Sequence, residues 1–205
     1  MKLYYSPGAC SLGIHILLEE TGAPCEMEVV SLKDGAQHKP YFTAINPKAK
    51  IPALMRDNGH LLTEYPAIAT YIARTHPAAG LIPTDVDAEA QAIEAMDYVV
   101  ATVHMQGFAR IARWANFSPT ETDKDAVQAR GREIYAKGVA ALDKALAGKE
   151  WIAGPYSLAD AALFYVSNWS PRAEVPLPPN LAAHFARMKQ RPAVQRAMAA
   201  EGLAI

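Results

Sequence analysis

Near residue 77 the sequence changes its hydrophobic period, and that change limits the possible folds more than any other feature. Upstream, short β-prone runs alternate with helical ones, whereas downstream only helical periodicity remains. The stretch between, residues 77–83, carries two prolines and a glycine and reads as a linker. One domain is therefore expected over 1–76 and an all-helical one over 84–205. A chain of 205 residues has enough length for one sizeable core or two small ones.

Lys2 to Tyr5 is β-prone and stops at Ser6-Pro7-Gly8. A helical pattern then runs from Ser11 to Thr21, with Gly22 placed as its left-handed closing residue. Glu26 to Ser31 reads as a strand, Lys39 to Ile45 as a short helix and Ala53 to Arg56 as a strand. Asp57-Asn58-Gly59 is a hairpin signal leading into Leu61 and Leu62, and a helix follows over Pro66 to Arg74. The order βαβαββα predicts a mixed sheet with helices on both faces, the arrangement of a thioredoxin-like domain. The fold class is thus α/β plus all-α. Beyond the linker, helical periodicity covers Asp85 to Phe117, Asp123 to Leu146, Ser157 to Asn168 and Leu181 to Ala200. Ser157-Leu158-Ala159-Asp160 has the spacing of a capping box.

Twenty Lys and Arg against 21 Asp and Glu leave a formal charge of −1, which removes the electrostatic footprint of a nucleic-acid or anionic-membrane binder. No window approaches the length of an apolar membrane span, and the N-terminus lacks the apolar stretch of a secretory signal. The expectation is a cytoplasmic protein with a small-molecule partner and with Cys10 and Cys25 both reduced. Neither cysteine belongs to a metal-binding spacing, and no metal is expected.

Three stations carry chemistry. Cys10 lies between the first turn and the first helix, where backbone amides and the helix dipole favour a thiolate, the alternative use of the position being a small apolar filler. No second cysteine stands three residues away, so a mixed disulfide at Cys10 needs an external thiol. Cys25 opens a strand and reads as structural. Asn46-Pro47 followed by Ile51-Pro52-Ala53-Leu54 sets a proline directly before a strand. A cis Ile51–Pro52 bond there would present the Ile51 backbone to an extended peptide. Glu64-Tyr65-Pro66 sits where a helix begins. Amides around Tyr65 would receive a carboxylate and Glu64 an ammonium, unless Glu64 is an ordinary acidic turn residue.

Together S-P-G-A-C-S with His15 following, N-P-x-x-x-I-P-A-L, T-E-Y-P-A-I and W-I-A-G-P-Y-S-L-A-D-A-A resemble bacterial glutathione S-transferases of the beta class over nearly the whole chain. The resemblance implies a homodimer that binds glutathione mainly on the first domain and takes it as cosubstrate. Cys10 then matches the cysteine beside the glutathione sulfur, and Ile51, followed by Pro52, the residue whose backbone pairs with the tripeptide. Glu64 and Tyr65 match the pair that holds the γ-glutamyl end, and Lys33 a lysine near the glycine end. His104 matches a helical-domain histidine that faces the sulfur. At helical spacing Asp97, Ala101, His104 and Phe108 form one stripe, which places Asp97 on the face of His104.

Two residues depart from the family pattern. Tyr65 replaces a serine or another small residue, so its ring either crowds the γ-glutamyl pocket or turns away; in the first case serine in its place would tighten binding. Met105 stands where many members have a lysine, which removes one positive charge near the sulfur. The implied activity is conjugation of the glutathione thiol to small apolar electrophiles, with Cys10 and His104 as catalytic residues and with glutathione-dependent disulfide exchange through Cys10 as a second activity. The alternative is a protein of this fold that binds apolar ligands or a protein partner without turnover.

Overall fold

A computed structural model of the chain describes residues 1–204. The chain divides into two compact units, one of Met1–Ile82 joined by the segment from Lys189 onward, the other of Pro83–Met188. The periodicity change at 77–83 lies at this division. The return of the last helix to the first unit is a tertiary event that a boundary read along the chain does not contain.

In the first unit the elements are β1 (Lys2–Tyr5), α1 (Ser11–Thr21), β2 (Glu26–Val29), α2 (Pro40–Thr43), β3 (Ala53–Met55), β4 (Leu61–Thr63) and α3 (Tyr65–Thr75). The sheet order is β2-β1-β3-β4, with β1 parallel to β2 and antiparallel to β3, and β3 antiparallel to β4. This is the expected βαβαββα order. The central strands carry the buried side chains Leu3, Tyr4, Ala53 and Leu54, while edge strand β2 is charged and Lys2 bridges its Glu26 and Glu28. Every residue of α1 from Ser11 to Leu18 is buried, which is why its sequence is apolar all round. Gly22, at φ 66°, closes it as expected.

The second unit holds α4 (Val86–Asp97), a π-helix (Tyr98–Phe108), α5 (Ala109–Ala112), α6 (Lys124–Ala145), α7 (Leu158–Asn168), α8 (Ser170–Ala173) and α9 (Pro179–Lys189). The periodic stretch from Asp85 to Phe117 is therefore not one regular helix. Its middle is wound with i→i+5 hydrogen bonding, and 3₁₀ turns follow at Trp114–Asn116. The stretch from Leu181 to Ala200 likewise divides, because Pro192 cannot continue α9 and instead opens α10 (Pro192–Ala200), which packs on α1 in the first unit. Arg191 clamps Glu20 and Arg196 clamps Glu19 across that packing.

The π-helix and α6 approach closely at glycines. A Cβ on Gly131 would lie 2.8 Å from Arg110 Cβ and 2.9 Å from the Gly107 carbonyl, and one on Gly138 2.6 Å from Val103 Cγ2. Fully buried Asp160 does what the S-x-x-D spacing suggests and more. It accepts the Ser157 N–H at 2.9 Å and the Ile152 N–H at 3.1 Å, and lies 2.9 Å from His184 Nε2.

Candidate functional site

In the first unit the loop before α1 is tied at both ends. Ser6 N–H donates to Ser11 Oγ and Ser11 Oγ–H to the Ser6 carbonyl, both at 3.2 Å, and Ala9 N–H closes a turn on the Ser6 carbonyl at 3.0 Å. Gly8 takes φ 69°, a conformation costly for a residue with a Cβ, and its N–H donates to Glu201 Oε2 at 2.8 Å. The other Glu201 oxygen lies 3.0 Å from His15 Nδ1 on α1. The Glu201 side chain is fully buried, so both oxygens rely on these partners. No local signal identifies Glu201, which lies 193 residues from Gly8 in the chain.

Cys10 stands as the cap residue of α1, half-buried, and its Sγ lies 3.8 Å from the Ile51 carbonyl. The first two stations of the sequence thus meet. The Ile51–Pro52 bond is cis. The loop before it is shaped by buried Asn46, whose Nδ2 donates to the Lys50 carbonyl at 2.7 Å while its Oδ1 accepts the Lys48 N–H at 3.1 Å. Cys25, by contrast, has its thiol pKa pushed up, mainly by burial, so it stays protonated where a nucleophile would not.

Glu64 caps α3 with φ 71°, an uncommon backbone for a residue with a side chain and of the kind that concentrates at ligand-binding positions. Its carboxylate is exposed and pairs with Lys48 Nζ at 2.7 Å, which also donates to Thr63 Oγ1 at 2.9 Å. Sequence reading does not find Lys48. An exposed pair of this kind stabilises the fold by about 1 kcal/mol at most, so an incoming ammonium can replace Lys48 on Glu64 at little cost. Tyr65 is only 4% exposed, so its ring is turned into the protein and does not crowd an open pocket. The expected gain in binding from serine at this position is therefore withdrawn. Lys33 lies on an exposed turn and makes no hydrogen bond or ion pair among the described residues.

In the helical unit His104 is buried against the edges of two aromatic rings, with centroids 4.8 Å from Trp169 and 5.8 Å from Tyr165. The Tyr165 hydroxyl lies 3.4 Å from its Nδ1. Burial, and secondarily the positive charge of Arg113, lower the His104 pKa to about 3, so the imidazole is neutral at ordinary pH and acts as a hydrogen-bonding group, not a cation. The stripe of Asp97, Ala101, His104 and Phe108 is not one face. Asp97 and Ala101 are exposed whereas His104 and Phe108 are buried. In the wider helix the buried residues Val99, Val103, His104, Gly107 and Phe108 recur four or five apart, a stripe that starts after Asp97 and leaves it outside. Arg113 Nη2 lies 3.9 Å from the Met105 sulfur.

The chain matches known proteins over nearly its whole length. Residues 8–75 match the family model for the glutathione S-transferase N-terminal domain and 93–192 that for the C-terminal domain. The chain is 36% identical to the glutathione S-transferase GstA of Escherichia coli O157:H7, over 99% of this chain and 100% of that one. A glutathione transferase homologue from Sulfitobacter, solved with bound glutathione, superposes with a TM-score of 0.93 at 31% identity, covering 99% and 98% of the two chains. The beta-class glutathione S-transferase of Sphingomonas chungbukensis gives 0.87 at 37% identity over the full length of both. Among the described residues no helix is long and apolar enough to cross a membrane, and no cluster of side chains suits a metal ion.

Proposed function

The chain belongs to the glutathione S-transferase family and is beta-class-like, and from that premise we propose that it conjugates the thiol of glutathione to small electrophiles. The observation that carries the reading is the meeting of Cys10 Sγ and the Ile51 carbonyl at 3.8 Å on the first unit. A cysteinyl-glycine backbone laid along Ile51 brings its own sulfur to the head of α1, where helix amides stabilise an anion. Glu64, at the start of α3, receives the α-ammonium, the Tyr65 backbone amide the α-carboxylate, and Lys33 the glycine carboxylate. Pro52 fixes the turn that presents Ile51. His104 as hydrogen-bonding partner of the sulfur rests on family resemblance alone, and Asp97, expected as a further glutathione contact from its place on the His104 stripe, loses that support because Asp97 is exposed where His104 is buried. The working form is a homodimer in the cytoplasm.

Exchange with disulfides is the second activity of the same loop. The Cys10 thiolate attacks a mixed disulfide of glutathione, forms Cys10–S–S–glutathione and releases the other thiol; a second glutathione thiolate then displaces Cys10 and leaves as glutathione disulfide. Cys10→Ala separates the two activities. Conjugation uses the glutathione sulfur as nucleophile and should fall by roughly threefold to tenfold, whereas exchange loses its covalent atom and should fall by about a thousandfold or more. Assays of both reactions on one preparation, with calorimetric titration of glutathione, test the reading. No binding at millimolar glutathione would overturn the transferase assignment, and exchange that survives in the alanine variant would overturn the covalent role.

A further inference from the structure

The free protein already holds an ion pair where the γ-glutamyl end of glutathione is expected. Lys48 Nζ lies 2.7 Å from Glu64 Oε1 and donates to Thr63 Oγ1 at 2.9 Å. The two side chains are 53% and 56% exposed, so the pair faces solvent and is no part of the core. The stem of Lys48 is nonetheless fixed. Its backbone N–H donates to the side chain of buried Asn46 at 3.1 Å, and Ala49, at φ 52°, turns its own N–H onto the Asn46 carbonyl at 2.9 Å. One loop therefore presents the Lys48 ammonium beside Glu64 and, a few residues on, the Ile51 backbone.

Around that pair the donors for a carboxylate are few. The small hydroxyl of the family pattern is absent at position 65, since the Tyr65 oxygen is buried inside the unit. Pro66, the next residue of α3, has no N–H to give. A carboxylate offers about four lone-pair sites, more than the Tyr65 backbone amide fills. An α-amino acid head group carries an ammonium and a carboxylate on one carbon, and Glu64 with Lys48 is the charge complement of both. In the free protein the two halves of this receptor neutralise each other, and separating an exposed pair costs about 1 kcal/mol at most.

We propose that Lys48 is a specificity-determining residue that binds the α-carboxylate of the γ-glutamyl group once the α-ammonium has displaced it from Glu64. One ion pair opens and two form, while Thr63 Oγ1 stays within reach of the Lys48 ammonium. The inference rests on the transferase reading above and adds to the Tyr65 amide a cation in place of the lost hydroxyl. The site thereby reads both charges of the head group and rejects a peptide that carries the ammonium alone.

The test is calorimetric titration of the full chain with glutathione and with 4-aminobutyryl-cysteinylglycine, which keeps the ammonium and lacks the α-carboxylate. Lys48→Met should weaken glutathione about tenfold, equivalent to roughly 1.4 kcal/mol. It should not weaken the aminobutyryl peptide, because Glu64 is then unopposed and no carboxylate is there to miss the cation. Lys48→Arg, which restores a positive charge, should recover most of the loss for glutathione. Lys39→Met removes another exposed lysine, at the cap of α2, and should leave both affinities unchanged. Unchanged or tighter glutathione binding by Lys48→Met would make Lys48 only a competitor for Glu64. An equal loss for both peptides, or no recovery in the arginine variant, would make its role structural. Each of these results overturns the proposal and leaves the transferase reading standing, whereas a wild type that binds no glutathione at millimolar concentration overturns both.

Discussion

The two units hold their candidate residues by different physical means. In the first, Cys10, Ile51 and Glu64 sit on loops whose backbone is bent into special conformations, with Gly8, Ala49 and Glu64 at positive φ and a cis bond before Pro52. Hydrogen bonds donated by Ser11 and Asn46, and one accepted by Glu201 from the Gly8 N–H, keep those loops in place. In the second, His104 and Phe108 sit inside a helix, and what places them is the phase of its winding and the close approach of glycines on α6. A loop site is thus maintained by a few directional bonds and tolerates change beside them. A helix-phase site is maintained by packing over its whole length, and a single methyl group reaches it.

The sharpest way to break this contrast is Tyr65→Ser. If Tyr65 acts in the first unit as core and not as pocket lining, serine removes a buried ring and should destabilise the chain by about 3 kcal/mol. The glutathione affinity of the folded protein should change less than about twofold, because the loop bonds at Glu64 and Ile51 are untouched. Urea denaturation and calorimetric titration of the same variant check both. A clear gain in affinity would put the tyrosine ring in the ligand's path.

Gly131→Ala probes the other unit. Alanine gains about 1 kcal/mol of helix propensity over glycine, but overpacking costs about 1 to 3 kcal/mol. Here one of the clashing atoms is the Gly107 carbonyl of the π-helix, which cannot rotate away as a side chain can. A net loss of about 2 kcal/mol is expected, and the His104 and Phe108 positions should shift with it, read as a change in Trp169 fluorescence. Unchanged stability together with unchanged fluorescence would mean that the close approach does not hold the winding.

A pH series isolates His104. In the unfolded chain this histidine binds a proton near its ordinary value of 6.5, whereas in the folded chain it does so only near about 3. The unfolded state therefore binds more protons across that window. Its contribution to stability is complete above pH 6.5 and is lost as pH falls toward 3. Between pH 7 and pH 4.5 the wild type should lose about 2 kcal/mol more than His104→Phe, which keeps the aromatic contacts without the titration. Parallel losses in the two proteins would show that His104 is accessible to a proton in the folded state.

Legibility in the sequence follows the same division. Pro7-Gly8, Asn46-Pro47, Ile51-Pro52 and Tyr65-Pro66 announce the turns of the first unit because proline and glycine act on their own backbone, and the Asp57-Asn58-Gly59 signal does the same for the hairpin between β3 and β4. The capping spacing of Ser157 and Asp160 is equally local. The winding of 98–108 is not legible, since α- and π-helices need the same apolar residues and differ only in which neighbours they face. Asp97 and His104 were for that reason expected on one face and are not.

What the sequence by itself determined is the order of elements, the two kinds of architecture on either side of 77–83, and the three loop stations, all of which depend on residues close together in the chain. What only the tertiary structure decided is which distant groups complete them. Glu201 on the Gly8 turn, Lys48 on Glu64, Arg113 beside Met105 and the inward turn of Tyr65 were settled by packing and charge in three dimensions. The physical reason is one of range. Backbone preferences act over a few residues, whereas a buried carboxylate or an unpaired guanidinium finds its partner wherever the folded chain brings one within reach.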